Sequence, residues 1–490
     1  MSIPMPKYLK MVFILLLISD LTFSFYQHLH MPLDGDMAEI ILPTPDKGYY
    51  DVLHSPFGID ALAKDKLYAN PNRFFAHWTT SYYFLHTPLF LQKFVKPIES
   101  VYLASAISKT IIQILILYLF ALYISNTTKI YSIDFLVAAI LITPLFQTSG
   151  YSRFLGIIDQ SVIYTFFYAL PLGLILIFFF PFFKAAYHKT KLKMSGLKKI
   201  IWGVFMLVLS LNGPLLTGIA LITSLLFLSS LWYKNYKTNT QNSFSNKVIH
   251  SIKKIDNLYL FYFIGFSILS LYSLFIGQLN SLNFGDNITI WERYARLPIG
   301  LFNLVSQKLA YPLLFLLIAI NLVIIYKYHS SIEGKRILHL SFWIGVFALL
   351  YILLLPLGGF RIYRPNIIRY DTVMPITFGI IFIYGFSTFF LVKQISKKNK
   401  IYYLIGIALF LLVFTNADKL KTEDYNRERA ALETIAISKE NPVILTCDCP
   451  VMDWSKYKKA SESDLNASLF LYWNITKTKK LYYHRKEETK

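Results

Sequence analysis

Long runs of apolar residues decide what this chain can fold into. Hydrophobic residues make up 55% of the 490 positions and charged residues only 16%, whereas soluble domains average about 25% charged residues. Many of the runs approach or exceed the roughly 20 mostly apolar residues that a helix needs to cross a bilayer. Because lipid offers no hydrogen-bond partners to the N–H and C=O groups of an irregular backbone, such runs must form helices. The sequence therefore predicts an all-α integral membrane protein.

Lysine-rich segments indicate which side of the membrane each loop occupies. Residues 184–199 contain six lysines and no acid, and residues 234–254 contain five lysines and no acid. Residues 327–336 and 393–400 are basic as well. The positive-inside rule places all four segments in the cytoplasm. This distribution explains the net charge of +21 without a nucleic-acid partner.

These basic loops fix a topology of about 11 transmembrane helices. We interpret the first run as a retained span, because no small-residue cleavage site follows it. The run 200–233 has basic residues on both flanks, so we predict two short helices that meet at Asn212-Gly213-Pro214. The predicted spans are about 9–27, 100–125, 133–148, 157–183, the two halves of 200–233, 258–278, 301–326, 337–357, 373–392 and 401–416.

The topology divides the chain into two predicted domains of a multi-pass plasma (inner) membrane protein. Residues 1–416 form the transmembrane domain, with a cytoplasmic N-terminus and a long first outer loop at 28–99. Residues 417–490 form a small extracytoplasmic α/β tail, in which 423–438 has a helical pattern and 442–451 a strand pattern. Two cysteines in the tail are too few to define a disulfide framework, so the redox compartment stays open.

An acidic segment opens the first outer loop. Asp34, Asp36 and Glu39 lie within six residues, directly after the first span. One interpretation is a solvated helix start, because acids near a helix N-terminus offset the helix dipole. The other is a general base or a divalent-metal site such as Mg²⁺ or Mn²⁺ at Asp34 and Asp36, since glycine between two carboxylates lets them converge on one ion. Both interpretations are open at this point.

A cluster of arginines lies on the same predicted side of the membrane. Arg361, Arg364 and Arg369 occur in a short loop between two spans, and Arg293 and Arg296 lie in the preceding outer segment. Positive-inside statistics disfavour basic residues on this face. Arginine is the residue for bidentate recognition of phosphate or carboxylate. We therefore predict phosphate binding; the alternatives are lipid-headgroup anchoring and pairing with the acids of the first loop.

This layout resembles the GT-C superfamily, polytopic glycosyltransferases that use sugars linked to polyprenyl phosphate and carry an acidic motif in the first outer loop. The resemblance in topology covers about residues 1–417, and the motif is Asp34-Gly35-Asp36 with Glu39 behind it. The adjacent acid pair of many members is absent, so the resemblance does not assign the base or a metal.

The resemblance implies an inverting transfer of sugar from a polyprenyl-phosphate-linked donor to an extracytoplasmic glycan, lipid or protein acceptor. We expect Asp36 to be the general base, with Asp34 orienting it or sharing a metal ion. Glu39 and the five arginines are the expected substrate-binding residues, and membrane lipid is the further expected partner. Two other classes stay open: a transporter or flippase of a lipid-linked glycan, and a non-catalytic membrane scaffold.

Overall fold

The computed structural model describes residues 7–146, 155–158, 160–239, 243–283, 288–306, 308–328, 331–417, 420 and 422–485. It is mostly helical (73%) with little sheet. Nine helices of the described ranges are long and apolar enough to cross a membrane. These findings confirm an all-α, multi-pass membrane protein. The nine helices are Tyr8–Leu29, Pro97–Ser125, Val162–His188, Pro214–Lys237, Asn257–Gln278, Ala310–Tyr328, Ile332–Gly358, Met374–Gln394 and Lys398–Asn416.

Two shorter apolar helices occupy the remaining predicted spans. Ile133–Leu145 falls below the length of the other nine, and Pro144 stands where its α-helical part has ended. Gly196–Ser210 has 15 residues. At about 1.5 Å per residue, neither reaches across the full hydrocarbon core. The count of 11 spans and the orientation of the chain therefore stay predictions.

The break predicted within 200–233 is confirmed. One helix ends at Ser210 and the next begins at Pro214. Gly213 between them has a φ of 105°, a conformation that favours glycine. Proline suits the first helical position because its missing N–H would be unpaired there anyway. The second helix has 24 residues and is longer than the short helix predicted.

The single span predicted at 301–326 is wrong. The chain instead forms one helix over Ile290–Ser306 and another over Ala310–Tyr328. The first of these has charged and aromatic residues at its start, and its Trp291 is 80% exposed. Arg293 and Arg296 consequently lie on a helix and not in a loop.

The first loop, residues 28–99, folds into short helices rather than an extended connection. Its longest helix is Phe74–Leu91, which buries Thr80 and Phe84 and leaves Trp78 and Tyr82 about half exposed. The buried face packs against the second span, and the exposed aromatic face suits a membrane interface. The other elements are Met37–Ile41, Tyr50–His54, Pro56–Gly58 and Ile59–Ala63.

The described part of the tail, residues 422–485, packs against the first loop. Its buried Trp473 donates from Nε1 to the carbonyl oxygen of Phe84 (2.9 Å). Gln92 donates from its side chain to the carbonyl oxygen of Trp473 (2.6 Å). The strands are parallel, with Val443 opposite Tyr482. The tail elements are the helices Glu423–Ile437 and Asp464–Tyr472 and the strands Val443–Leu445 and Tyr482–His484.

Cysteine labelling tests the orientation. We expect cysteines at Thr190 and Thr238, both exposed, to resist an impermeant maleimide in intact cells, because both positions border lysine-rich segments. A cysteine at exposed Asp46 is the control and should react. The background carries serine at Cys447 and Cys449. Labelling at only one of the two threonine positions in intact cells would place the two flanks of 200–233 on opposite sides of the membrane and overturn the predicted orientation of the later loops.

Candidate functional site

Asp34 ties the first loop to the start of a membrane-length helix. Its side chain is buried, with 3% exposed. One carboxylate oxygen accepts hydrogen bonds from the hydroxyl of Ser161 and from the N–H of Ile163. The other accepts from the N–H of Asp36 (2.8 Å). Ser161 caps the helix that begins at Val162, where the helix dipole favours negative charge. Asp34 therefore holds the backbone of Asp36 in place.

Asp36 presents its carboxylate away from the helix that it begins. The residue is the N-cap of Met37–Ile41, but its side chain makes no capping hydrogen bond. Its Oδ1 instead accepts a hydrogen bond from Nε1 of Trp454 (2.7 Å). Burial raises the pKa of Asp36 above its usual range, and Asp453 adds to the effect, while the Trp454 N–H and the charge of Arg369 oppose it. A raised pKa suits a group that must accept a proton.

Glu39 is exposed and follows Asp36 by three residues. Partial removal from water raises the pKa of Glu39, as do the negative charges of Asp36 and Asp453. Burial, rather than repulsion by Glu39, is the largest cause of the raised pKa of Asp36. The pKa values of both carboxylates are raised mainly because removal from water disfavours their charged forms.

Glu428 of the tail fastens the acidic segment to the segment that carries Trp454. This buried carboxylate accepts hydrogen bonds from the N–H of Leu33 (2.7 Å), the N–H of Met452 (2.8 Å) and the hydroxyl of Tyr102 (2.9 Å). Burial raises the pKa of Glu428 to about 7 in spite of these three donors. One side chain thus sets the spacing between two distant parts of the chain.

Gly35 permits the close approach of the two segments. A Cβ atom at this position would lie 2.7 Å from the backbone nitrogen of Trp454 and 2.8 Å from the carbonyl carbon of Asp453. Any other residue would push the tail away from Asp36. Glycine in the Asp-Gly-Asp motif therefore serves the contact with the tail.

One cavity of about 720 Å³ brings Asp36 together with most of the predicted arginines. It is lined by Asp36 and by Arg293, Arg361, Arg364 and Arg369, and also by Arg73, which the sequence analysis did not single out. Further wall residues are apolar and come from membrane-length helices, among them Leu221, Ile222, Leu274 and Leu354. The cavity thus joins a polar end with several guanidinium groups to an apolar wall.

Three of the residues predicted for the site lie outside this lining. Asp34 and Glu39 do not line the cavity, and neither does Arg296. The guanidinium of Arg296 donates to the carbonyl oxygen of Pro365 (3.2 Å) and lies over the ring of Phe360 (5.2 Å). Its contacts therefore stabilise the loop that carries the arginine cluster, residues 359–373, which we name the arginine loop.

Arg369 is neutralised by Asp371. The guanidinium donates from Nε and Nη2 to the two carboxylate oxygens (2.8 and 2.6 Å). Asp371 is completely buried. Burial favours its protonated form, but the bonds from Arg369 hold the pKa of Asp371 below its usual range. Nε and Nη2 of Arg369 are thus already bonded within the protein. Arg369 therefore stabilises the fold and does not offer these two donors to a ligand.

The other arginines of the cavity have different surroundings. Arg361 donates to Oδ1 of Asn283 (2.6 Å) and to the carbonyl oxygen of Phe360 (3.0 Å). Arg293 donates to the carbonyl oxygens of Ile288 and Pro356 at 3.3 and 3.4 Å. Neutral oxygen atoms are thus among the partners that hold both guanidinium groups in place.

The contacts of Asp34 do not fit a metal shared with Asp36. Three hydrogen bonds already engage both oxygens of its carboxylate. In the described part of the chain, no group of three His, Cys, Asp or Glu side chains is placed to hold a metal ion. Mg²⁺ or Mn²⁺ at Asp34 and Asp36 stays a prediction without support from the donor set, and no step below uses it.

The chain matches no protein-family model. It also has no match among curated proteins. The likeness to the GT-C superfamily therefore rests on the layout of the helices and on the residues of the acidic motif.

Proposed function

We propose that this protein is a GT-C-type membrane glycosyltransferase that moves a sugar from a polyprenyl-phosphate-linked donor to an extracytoplasmic acceptor. The observation that supports it is the shared cavity: Asp36 and the arginines line one space, and the wall continues into apolar side chains of the membrane. A lipid-linked donor needs both surfaces, one for the phosphate and one for the prenyl chain.

The chemistry needs a proton acceptor and a stabilised leaving group. In the proposed step an acceptor hydroxyl attacks the anomeric carbon while Asp36 takes its proton. Trp454 occupies Oδ1 of Asp36, which leaves Oδ2 for the hydroxyl. The bond from the anomeric carbon to the phosphate oxygen breaks, and the electron pair stays on the phosphate. Arg361 and Arg364 stabilise the charge that develops there.

The apolar wall gives the prenyl chain its place. Leu221, Ile222 and Leu274 lie on helices of membrane length and reach the same cavity as Asp36. A prenyl chain packed there removes apolar surface from water or from loosely packed lipid, at roughly 25 cal/mol per Å² of area taken out of water. The carboxylates of the opening segment thus stand at the membrane surface because the donor is itself a lipid.

Release of free prenyl phosphate distinguishes a glycosyltransferase from a flippase and from a scaffold. Purified protein in liposomes receives a prenyl-phosphate-linked hexose, together with short glycans, a glycolipid and a peptide as acceptors. We expect mass spectrometry to detect free prenyl phosphate and one glycosylated acceptor class, with neither in protein-free liposomes. Movement of the donor between leaflets without release would identify a flippase, and no change in the donor would favour a scaffold.

A further inference from the structure

Arg73 is a partly buried cation at the cavity wall. It directly precedes the helix Phe74–Leu91 and lines the same cavity as Asp36. Its guanidinium lies over the rings of Phe167 (5.3 Å) and Tyr168 (5.6 Å). Its Nε is buried, and no described residue accepts a hydrogen bond from it. No carboxylate of the described ranges forms an ion pair with Arg73.

The surroundings of Arg73 are built to hold it there. A Cβ atom on Gly213 would lie 2.8 Å from Nε of Arg73. The glycine at the break between two helices thus leaves room for the guanidinium. A buried donor without an acceptor is unfavourable, and more so when it is charged. A chain that keeps such a cation in a cavity is ready for an anionic ligand.

Arg364 is a second cation of this kind, on a different element. It belongs to the arginine loop and lines the cavity. Its guanidinium lies over the ring of Tyr363 (5.3 Å), and no hydrogen-bond acceptor for it is found among the described residues. Arg369, by contrast, is already paired with Asp371. Two guanidinium groups from separate parts of the chain are therefore available to anions in one cavity.

We propose that the cavity binds a diphosphate, so that the donor is a sugar linked to a prenyl diphosphate. Arg73 holds one phosphoryl group and Arg364 holds the other. This inference rests on the proposed function and names its substrate class. A monophosphate diester carries about one negative charge and leaves one guanidinium without a partner, whereas a diphosphate diester carries about two. Among the lining residues of the described ranges, five arginines face two carboxylates, Asp36 and Asp371.

The charge that develops during sugar transfer gives a second reason to expect a diphosphate in the cavity. The acceptor oxygen forms its bond to the anomeric carbon, and its proton passes to Asp36. The bond from the anomeric carbon to the diphosphate oxygen breaks with its electron pair, so the leaving group gains one charge and reaches about three. A site that stabilises charge as it develops needs cations in excess of the ground-state charge. The arginine excess of the cavity provides them.

Binding of small prenyl ligands tests the inference on the full chain in detergent. The probes are farnesyl diphosphate, farnesyl phosphate and inorganic pyrophosphate, measured by calorimetry. We expect farnesyl diphosphate to bind about tenfold more tightly than farnesyl phosphate, the scale of one added charge-assisted contact. Arg73→Gln should abolish this preference and leave farnesyl phosphate binding nearly unchanged. Lys66→Gln removes an exposed cation of the same loop and should leave both affinities as they are.

Other outcomes overturn the inference in distinguishable ways. Equal affinity of the wild type for both prenyl ligands, or an equal loss of both in Arg73→Gln, would refute the assignment of Arg73 to a second phosphoryl group. Pyrophosphate binding as tightly as farnesyl diphosphate would indicate a site for a soluble anion. Full transfer from a monophosphate-linked donor by Arg73→Gln would refute the diphosphate and leave the glycosyltransferase proposal intact. Failure of every prenyl ligand to bind would remove both.

Discussion

Replacing Asp36 with asparagine should lower turnover by about 100-fold or more, the scale of a lost general base. Asparagine is nearly isosteric and can still accept the hydrogen bond from Trp454 through its amide oxygen. It cannot accept a proton from an acceptor hydroxyl. We therefore expect a large loss in kcat, with the affinity for the donor and the thermal unfolding temperature close to those of the wild type.

The pH dependence of turnover tests whether Asp36 acts as a base, because a purely structural role of Asp36 would not change it. Asp36 acts in its charged form, so the rate should rise with pH through its raised pKa. The Trp454 N–H stabilises that charged form. Trp454→Phe should therefore move the acidic limb of the profile to higher pH. Asp46→Asn changes an exposed acid of the same loop and should leave rate and profile unchanged. Full turnover by Asp36→Asn would refute its role as the base.

Replacing Arg369 with alanine should lower the free energy of unfolding by about 3–5 kcal/mol, because it leaves the buried charge of Asp371 without its partner. From the sequence we would expect each arginine variant to accumulate normally and only lose donor use. The bidentate pair in the structure changes that expectation for Arg369. Thermal denaturation in detergent and the amount of folded protein after purification measure the effect.

Two companion variants separate the buried charge from other causes of the loss. Arg369→Ala combined with Asp371→Asn should recover much of the stability, since the uncompensated charge is gone. Arg296→Ala removes a cation outside the cavity, and its loss should stay within about 1 kcal/mol. If the double variant is no more stable than Arg369→Ala alone, the pair is not what stabilises this region.

The positions of most long helices could be predicted because their signals are local. An apolar run and its flanking charges are read within a window of about 20 residues. The Asn212-Gly213-Pro214 break is local in the same way, and the helices around it confirm the prediction. The single span predicted at 301–326 is wrong because Ser306 ends a helix that begins at Ile290. Apolar content alone did not locate that end.

Only the charged segments of the candidate site could be predicted from the sequence. The acidic segment and the arginine loop stand out by charge, and the cavity joins Asp36 of the first to Arg364 of the second. Their partners carry no such signal. Trp454 is 418 residues from Asp36, and Glu428 is 395 residues from Leu33. A contact of that span follows from tertiary packing, and no pattern in a sequence window encodes it.

The sequence also did not separate the roles of Asp34 and Asp36. Both are aspartates beside the same glycine, and no pattern in the sequence distinguishes them. Burial and hydrogen bonds make the difference. The carboxylate of Asp34 accepts hydrogen bonds from Ser161, from Ile163 and from the backbone N–H of Asp36. Asp36 lines the cavity with one oxygen outside the Trp454 bond.

The hydrogen bonds that Glu428 accepts from Leu33 and Met452 have a consequence for when the site forms during synthesis of the chain. Ribosomes make the acidic segment well before Glu428 and Trp454. Until those two residues have been synthesised, the N–H of Leu33 and the carboxylate of Asp36 lack these partners. A nascent chain in which every membrane-length helix of the described ranges has been made therefore still has an unfinished site. Residues that follow the last of these helices, Lys398–Asn416, complete it.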